Sequence, residues 1–127
     1  MKSSYYIDEE RSLVVLEKRG KITVDEDIAQ HKIILADPRF HKGMNALIDM
    51  TKADYEWGLQ DMDKFRTYIN AVAKQIGTRR WALVSDGGIT QANAKLFVVL
   101  HDIQPHGLTI KLFASKFDAI KWLGNGD

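Results

Sequence analysis

Asp49 and Thr51 close the apolar stretch Asn45-Ala46-Leu47-Ile48-Asp49-Met50-Thr51, and the loop that follows carries Tyr55 and Trp57. A carboxylate and a hydroxyl at the end of a buried strand can orient a ligand or move a proton. The same carboxylate can instead cap nearby loop amides, and capping is the use we expect first. Large aromatics in a polar loop form a lid, a ligand wall or a partner anchor, unless they fold back over the core edge. Ser85-Asp86-Gly87-Gly88 precedes another helical pattern, where exposed amides can hold an anion. Neither GxGxxG nor GxxxxGK[ST] is present, and Asp86 would repel an anion, so a plain turn is the first expectation there. Asp49, Thr51, Tyr55 and Trp57, with Ser85 and Gly87 across the expected cleft, are the candidate ligand- or partner-binding residues.

Other chemistry has less support. The chain has no cysteine, which excludes disulfides, thiolate catalysis and Cys-ligated zinc. His101 and His106 flank Asp102, but five residues apart is a poor spacing for metal ligands on one helix face. Ser85, His31 and Asp49 supply the types for a nucleophilic triad with no supporting spacing and no GxSxG elbow. Arg79-Arg80 reads as a solvated pair. Asp25, Glu26 and Asp27 read as charges complementing a helix N-terminus rather than as a metal site. No catalytic residue, metal or cofactor is expected.

The elements that must position these groups follow from patterning. At 127 residues, 45% apolar and 28% charged, the chain fits one domain, residues 1–127, with a core of its own. Eighteen basic and 17 acidic residues leave a formal charge of +1, which argues against a nucleic-acid partner. The start, MKSSYYIDEE, lacks the apolar run of a signal peptide, and no stretch approaches a membrane span, so a cytoplasmic protein is expected. Tyr5 to Asp8 and Leu13 to Lys18 read as an antiparallel hairpin. Thr23-Val24-Asp25-Glu26 has capping-box spacing, and Val24, Ile28, His31 and Leu35 continue a helix that Asp37-Pro38 ends. Ala46 to Met50 is the third strand. The second helix starts near Asp61, carries Met62, Phe65, Ile69, Val72, Ala73 and Ile76, and stops at Gly77.

Trp81 to Ser85 is the fourth strand. Ile89, Ala92, Leu96, Val99, Leu100 and Ile103 mark one side of the third helix. Phe97-Val98-Val99-Leu100 is too apolar for a single stripe, so a further side faces another subunit or a ligand cavity, unless the helix is buried throughout. Thr109 to Ala114 is the fifth strand, and Phe117, Ile120 and Leu123 belong to a last helix. The order β-β-α-β-α-β-α-β-α implies an α/β fold with a five-stranded, mostly parallel sheet and an N-terminal antiparallel hairpin strand. Ala46-Leu47-Ile48 and Trp81-Ala82-Leu83-Val84 are continuously apolar, as central strands should be. The alternating Thr109-Ile110-Lys111-Leu112 and Leu16-Glu17-Lys18 suit strands toward the edges with one wetter face. Helices are expected to cover one face more fully than the other.

Gly20-Lys21-Ile22-Thr23, Asp37-Pro38-Arg39-Phe40, Asn45-Ala46-Leu47-Ile48-Asp49, Arg80-Trp81-Ala82-Leu83-Val84 and Ala119-Ile120-Lys121-Trp122-Leu123 together resemble the SpoIIAA-like family, related in fold to STAS domains and compared with small lipid-binding domains. The resemblance spans nearly the whole chain. It implies a mostly one-way-wound domain with the hairpin at one end. It also implies non-enzymatic work, by protein contact or by binding a small or lipid-like ligand. STAS-type antagonists of anti-sigma factors carry a phosphorylatable serine at the start of the second helix. Here that segment reads Trp57-Gly58-Leu59-Gln60-Asp61, so the phosphoserine switch is not carried over.

The expectation is therefore a STAS-like regulatory or ligand-binding module that meets a protein partner or a small amphipathic ligand at the strand-end edge. A peripheral lipid-binding or transfer protein in contact with a membrane is the alternative, and a small enzyme using Asp49 or a histidine comes last. A homo-oligomer is expected if the spare apolar residues of the third helix meet a second copy.

Overall fold

The computed structural model describes residues 3–77 and 79–124. Strands β1 (Ser4–Asp8) and β2 (Leu13–Lys21) form the antiparallel hairpin, followed by α1 (Val24–Ala36), β3 (Asn45–Asp54), α2 (Leu59–Ile76), β4 (Arg79–Val84), α3 (Gly88–Asp102), β5 (Leu108–Phe113) and α4 (Lys116–Gly124). The sheet runs β1-β2-β3-β4-β5 in chain order, and every pair after the hairpin is parallel. The expected class, element order and hairpin are all present. β5 is an edge strand as anticipated. β2 is not: it lies between β1 and β3, and Lys18, at the end of the expected strand, is buried at 4% exposure.

Local chemistry sets the boundaries. Thr23 accepts the Glu26 amide at 3.2 Å while the Glu26 carboxylate accepts the Thr23 amide at 3.0 Å, so the capping box opens α1 as the spacing demands. α2 stops at Gly77, whose φ of 81° and ψ of −171° belong to a region only glycine occupies without strain. A Cβ there would stand 2.7 Å from Lys42 Cγ and 3.0 Å from the Gly43 amide nitrogen. β3 runs on through Asp54, past the expected end at Met50, because Arg19, Gly20 and Lys21 of the longer β2 continue to pair with it.

Strand parity assigns the faces. Val14, Leu16, Ala46, Ile48, Trp81, Leu83, Leu108 and Ile110 point to a core shared with α1, α2 and α3. Leu13, Leu47, Ala82 and Val84 point to the opposite face, where Ala119 and Leu123 of α4 cover them. α3 is turned differently from the expectation. Thr90, Ala94, Phe97 and His101 are its buried residues, while Ile89, Leu96, Val99 and Ile103 are exposed. Its outer residues repeat the spacing of an apolar stripe, so periodicity alone could not choose between the sides. Among the described residues no helix is long and apolar enough to cross a membrane.

Candidate functional site

The register shifts between β2 and β3. Glu17 faces Asp49, whereas Arg19 faces Lys52, so β3 carries one extra residue opposite Lys18. Asp49 serves this bulge: its Oδ1 accepts the Thr51 amide at 2.9 Å and the Thr51 hydroxyl at 2.7 Å. Burial alone would raise the Asp49 pKa. The two Thr51 hydrogen bonds, with the charges of Lys116 and Lys52, outweigh it and hold the carboxylate below its ordinary range. Lys116 Nζ lies 3.8 Å from Oδ2, which places Asp49 on the α4 side of the sheet.

Tyr55 and Trp57 turn to the other side. Tyr55 is 3% exposed, and the two rings meet edge to face at 5.4 Å. The loop that carries them is clamped to α3. The Tyr55 amide donates to Thr90 Oγ1 at 3.0 Å, and the Thr90 hydroxyl donates to the Ala53 carbonyl at 3.0 Å. Asn93 both accepts the Trp57 amide and donates to the Trp57 carbonyl, each at 3.0 Å. Trp57 Nε1 donates to the Ile22 carbonyl at 3.1 Å. The aromatics thus fold back over the core edge, and in doing so they wall a cavity.

That cavity, of about 100 Å³, lies between the sheet and α1–α3. Leu16, Ile48, Met50, Phe65, Trp81 and Phe97 give it an apolar lining. Phe65 meets Trp57 at 5.5 Å and Phe97 at 5.7 Å, closing an aromatic wall. Polar groups enter at a few points. Lys18 Nζ donates to Asp27 Oδ1 at 2.8 Å and to Gln30 Oε1, and the Tyr55 hydroxyl donates to Asp27 at 3.0 and 3.2 Å. Burial, followed by the Asp27 charge and hydrogen bond, pushes the Tyr55 pKa well above its usual value, so the phenol stays a donor.

His31 Nδ1 shares a 2.7 Å hydrogen bond with the Tyr68 hydroxyl, and its ring lies 5.4 Å from that of Trp81. Burial, with lesser contributions from the Lys18 and Arg79 charges, lowers the His31 pKa to about 4, so the imidazole is neutral at pH 7. Arg79 also lines the cavity and is 6% exposed. This corrects the reading of Arg79-Arg80 as a solvated pair. Arg80 is half-buried as well, its guanidinium 5.0 Å from the Trp122 ring centre.

The candidate residues therefore fall into three places. Asp49 and Thr51 are joined at the bulge. Thr51, Ser85 and Gly87 line a groove of about 480 Å³ at the strand ends, together with Lys21, Asp54, Glu56 and Asp86. Tyr55 and Trp57 belong to the interior cavity, and the fold does not bring them to Asp49. Lys18, Asp27, Gln30 and Arg79 were absent from the sequence-based site. Their signal was parity: Lys18 shares a strand face with Val14 and Leu16, and Asp27 and His31 share a helix face with Val24 and Ile34. Among the described residues no group of three His, Asp or Glu side chains could hold a metal ion.

No protein-family model matches this chain, and no curated protein matches it either. A solved structure does. The chain is similar to an uncharacterized protein of the DUF3478 family with a SpoIIAA-like fold from Shewanella loihica PV-4, with a TM-score of 0.61 and 20% identity over 95% of this chain and 93% of that one. The protein therefore has a SpoIIAA-like fold.

Proposed function

We propose that this protein is a non-enzymatic binding module whose interior cavity holds a small amphipathic molecule. The observation that carries this reading is the apolar cavity of about 100 Å³ that Tyr55 and Trp57 help to wall. Few convergent polar groups in an apolar recess is the usual composition of a ligand site. An apolar cavity of ~150 Å³ takes up benzene, and this one is smaller, so the occupant is no larger than a single ring or a short chain. Binding rather than catalysis is favoured because the nearby carboxylates are engaged, Asp27 by Lys18 and Tyr55 and Asp49 by Thr51. Screening single-ring amphiphiles by NMR should shift the indole N–H signals of Trp57 and Trp81. Ala94→Leu, which fills the cavity, should abolish those shifts. A screen without any response, or an unchanged response in A94L, overturns the proposal.

The exposed residues Ile89, Leu96, Val99 and Ile103 favour a second reading, in which α3 rests on a lipid surface. Wild-type protein should then float with phosphatidylcholine vesicles, and Val99→Lys should not. Protein that stays with the soluble fraction removes this reading.

A further inference from the structure

Arg79 begins β4 on the same face as Trp81 and Leu83, so its side chain enters the apolar cavity from the end where α2 stops. Nη1 donates to the Ile76 carbonyl at 2.8 Å and to the Gly77 carbonyl, closing the C-terminus of α2. Capping a helix C-terminus is a sufficient use for a cation. It does not account for the rest of the guanidinium. Nε is buried and has no hydrogen-bond partner among the described residues, the single such side-chain atom found.

Among the described residues no carboxylate lies within ion-pair distance of it either. The nearest ion pair in the cavity wall, Lys18 with Asp27, is already balanced. His31, which feels the Arg79 charge, is neutral at pH 7. Burial without a counter-ion lowers the Arg79 pKa to about 10, which leaves it charged at neutral pH. The cavity wall therefore carries one positive charge that meets a helix terminus but no counter-ion, and one unused N–H donor. Natural proteins rarely keep such a group without a partner, because a buried unpaired cation is strongly destabilising.

The geometry points to a small apolar monocarboxylate as the ligand, its ring or short chain among Trp57, Phe65 and Phe97 and its carboxylate on Arg79 Nε. This deepens the proposed function and rests on it. A single negative charge balances the wall, and a planar carboxylate matches the guanidinium edge. A phosphate or dicarboxylate would bring a second charge with no second free cation among the described lining residues. The apolar lining gives a fully polar anion nothing to replace its hydration.

Benzoate and benzyl alcohol, which share a ring and differ in charge, make the test. Each is titrated by calorimetry into wild-type protein and into Arg79→Met. Wild type should bind benzoate at least tenfold more tightly than benzyl alcohol. Arg79→Met should lose that preference, its affinities for the two probes falling within threefold of each other. In wild type, benzoate should also move the Arg79 Nε–H resonance in a nitrogen–proton spectrum, a signal that a merely structural arginine would not give.

Equal affinity of wild type for the two probes, or a still Nε–H resonance, overturns the carboxylate assignment and leaves the cavity reading standing. Failure of wild type to bind either probe overturns both. The wild-type comparison and the resonance need no variant, so the test survives a poorly folding Arg79→Met.

Discussion

Lys18→Met is the perturbation that tests the buried polar cluster most directly. The substitution keeps an unbranched chain of similar length and removes the ammonium. Among the described residues nothing else reaches Asp27 Oδ1 except the Tyr55 hydroxyl at 3.2 Å, and the Asp27 residue is 8% exposed. The variant therefore leaves a buried carboxylate with one neutral donor. Breaking a buried pair from one side costs about 3–5 kcal/mol, since the remaining charge is uncompensated. Set against a typical total of about 5–15 kcal/mol, that is a large share of the stability of a domain.

Urea unfolding followed by tryptophan fluorescence reads the change. With a slope of about 2 kcal/mol per molar, the midpoint should fall by roughly 2 M. Lys64 provides the internal control. It pairs with Asp25 at 2.6 Å, two positions from Asp27, but the two side chains are 57% and 75% exposed. Lys64→Met should cost less than about 1 kcal/mol despite the shorter distance. Adding Asp27→Leu to Lys18→Met should restore at least ~2 kcal/mol, because the orphaned charge is then gone. A loss below about 1 kcal/mol in Lys18→Met would refute the reasoning: it would mean that water reaches Asp27 and that the cavity is wet at that end.

Three further outcomes are expected. His31 keeps its proton off down to about pH 4, whereas the unfolded chain takes one up near 6.5, so the unfolded state binds more protons in that window and stability falls as the pH drops through it. The full shift corresponds to roughly 3 kcal/mol, and His31→Gln should flatten the difference between urea midpoints at pH 7 and 4.5; an equal difference in both proteins rejects this. Gly77→Ala meets both a glycine-only backbone region and a 2.7 Å contact, so it should cost at least about 2 kcal/mol by thermal unfolding, against about 1 kcal/mol for Gly20→Ala, where φ is 69° and the surrounding space is open. Tyr55→Phe removes one donor from the buried Asp27 carboxylate and should cost about 1.5–3 kcal/mol; a neutral result would detach Tyr55 from the cluster.

Local signals carried the fold. The Thr23 and Glu26 capping box, the glycine at the end of α2 and the continuous apolar runs of β3 and β4 each act within a few residues, and each formed as its spacing required. What failed to show was anything decided by a partner distant in sequence. Lys18 is buried only because Asp27 and Gln30 come from a helix and Tyr55 from a loop 37 residues further on. The face that α3 buries is chosen by Thr90 and Asn93, whose bonds to the Tyr55 and Trp57 amides fix its rotation. Hydrophobic periodicity scores such residues as neutral or polar and so places them outside. Arg79 was misread for the same reason: a basic pair before a strand looks solvated until α2 ends against it.

The position of the cavity follows from the winding. Ligands of doubly wound sheets gather at strand ends because the strand order reverses there and opens a crevice. This sheet has no reversal after its hairpin: β2, β3, β4 and β5 succeed one another in one direction. Right-handed crossovers in one direction put every connecting helix on the same face, and the core confirms it, with α1, α2 and α3 together and α4 alone opposite. Strands lie about 4.8 Å apart, whereas packed helices need about 8–10 Å. Three helices cannot each sit on the strand pair they connect. α4, unhindered, comes close to β3, β4 and β5 through the fully buried Ala119. α3 reaches β3 and β5, while α1 and α2 approach each other more closely than they approach the sheet. The space beneath that raised pair must be filled by long side chains, and Trp57, Phe65, Trp81 and Arg79 reach into it without closing it. The recess is thus a consequence of strand order and helix width, and the residues at its wall, rather than the acid at the strand end, decide what it can hold.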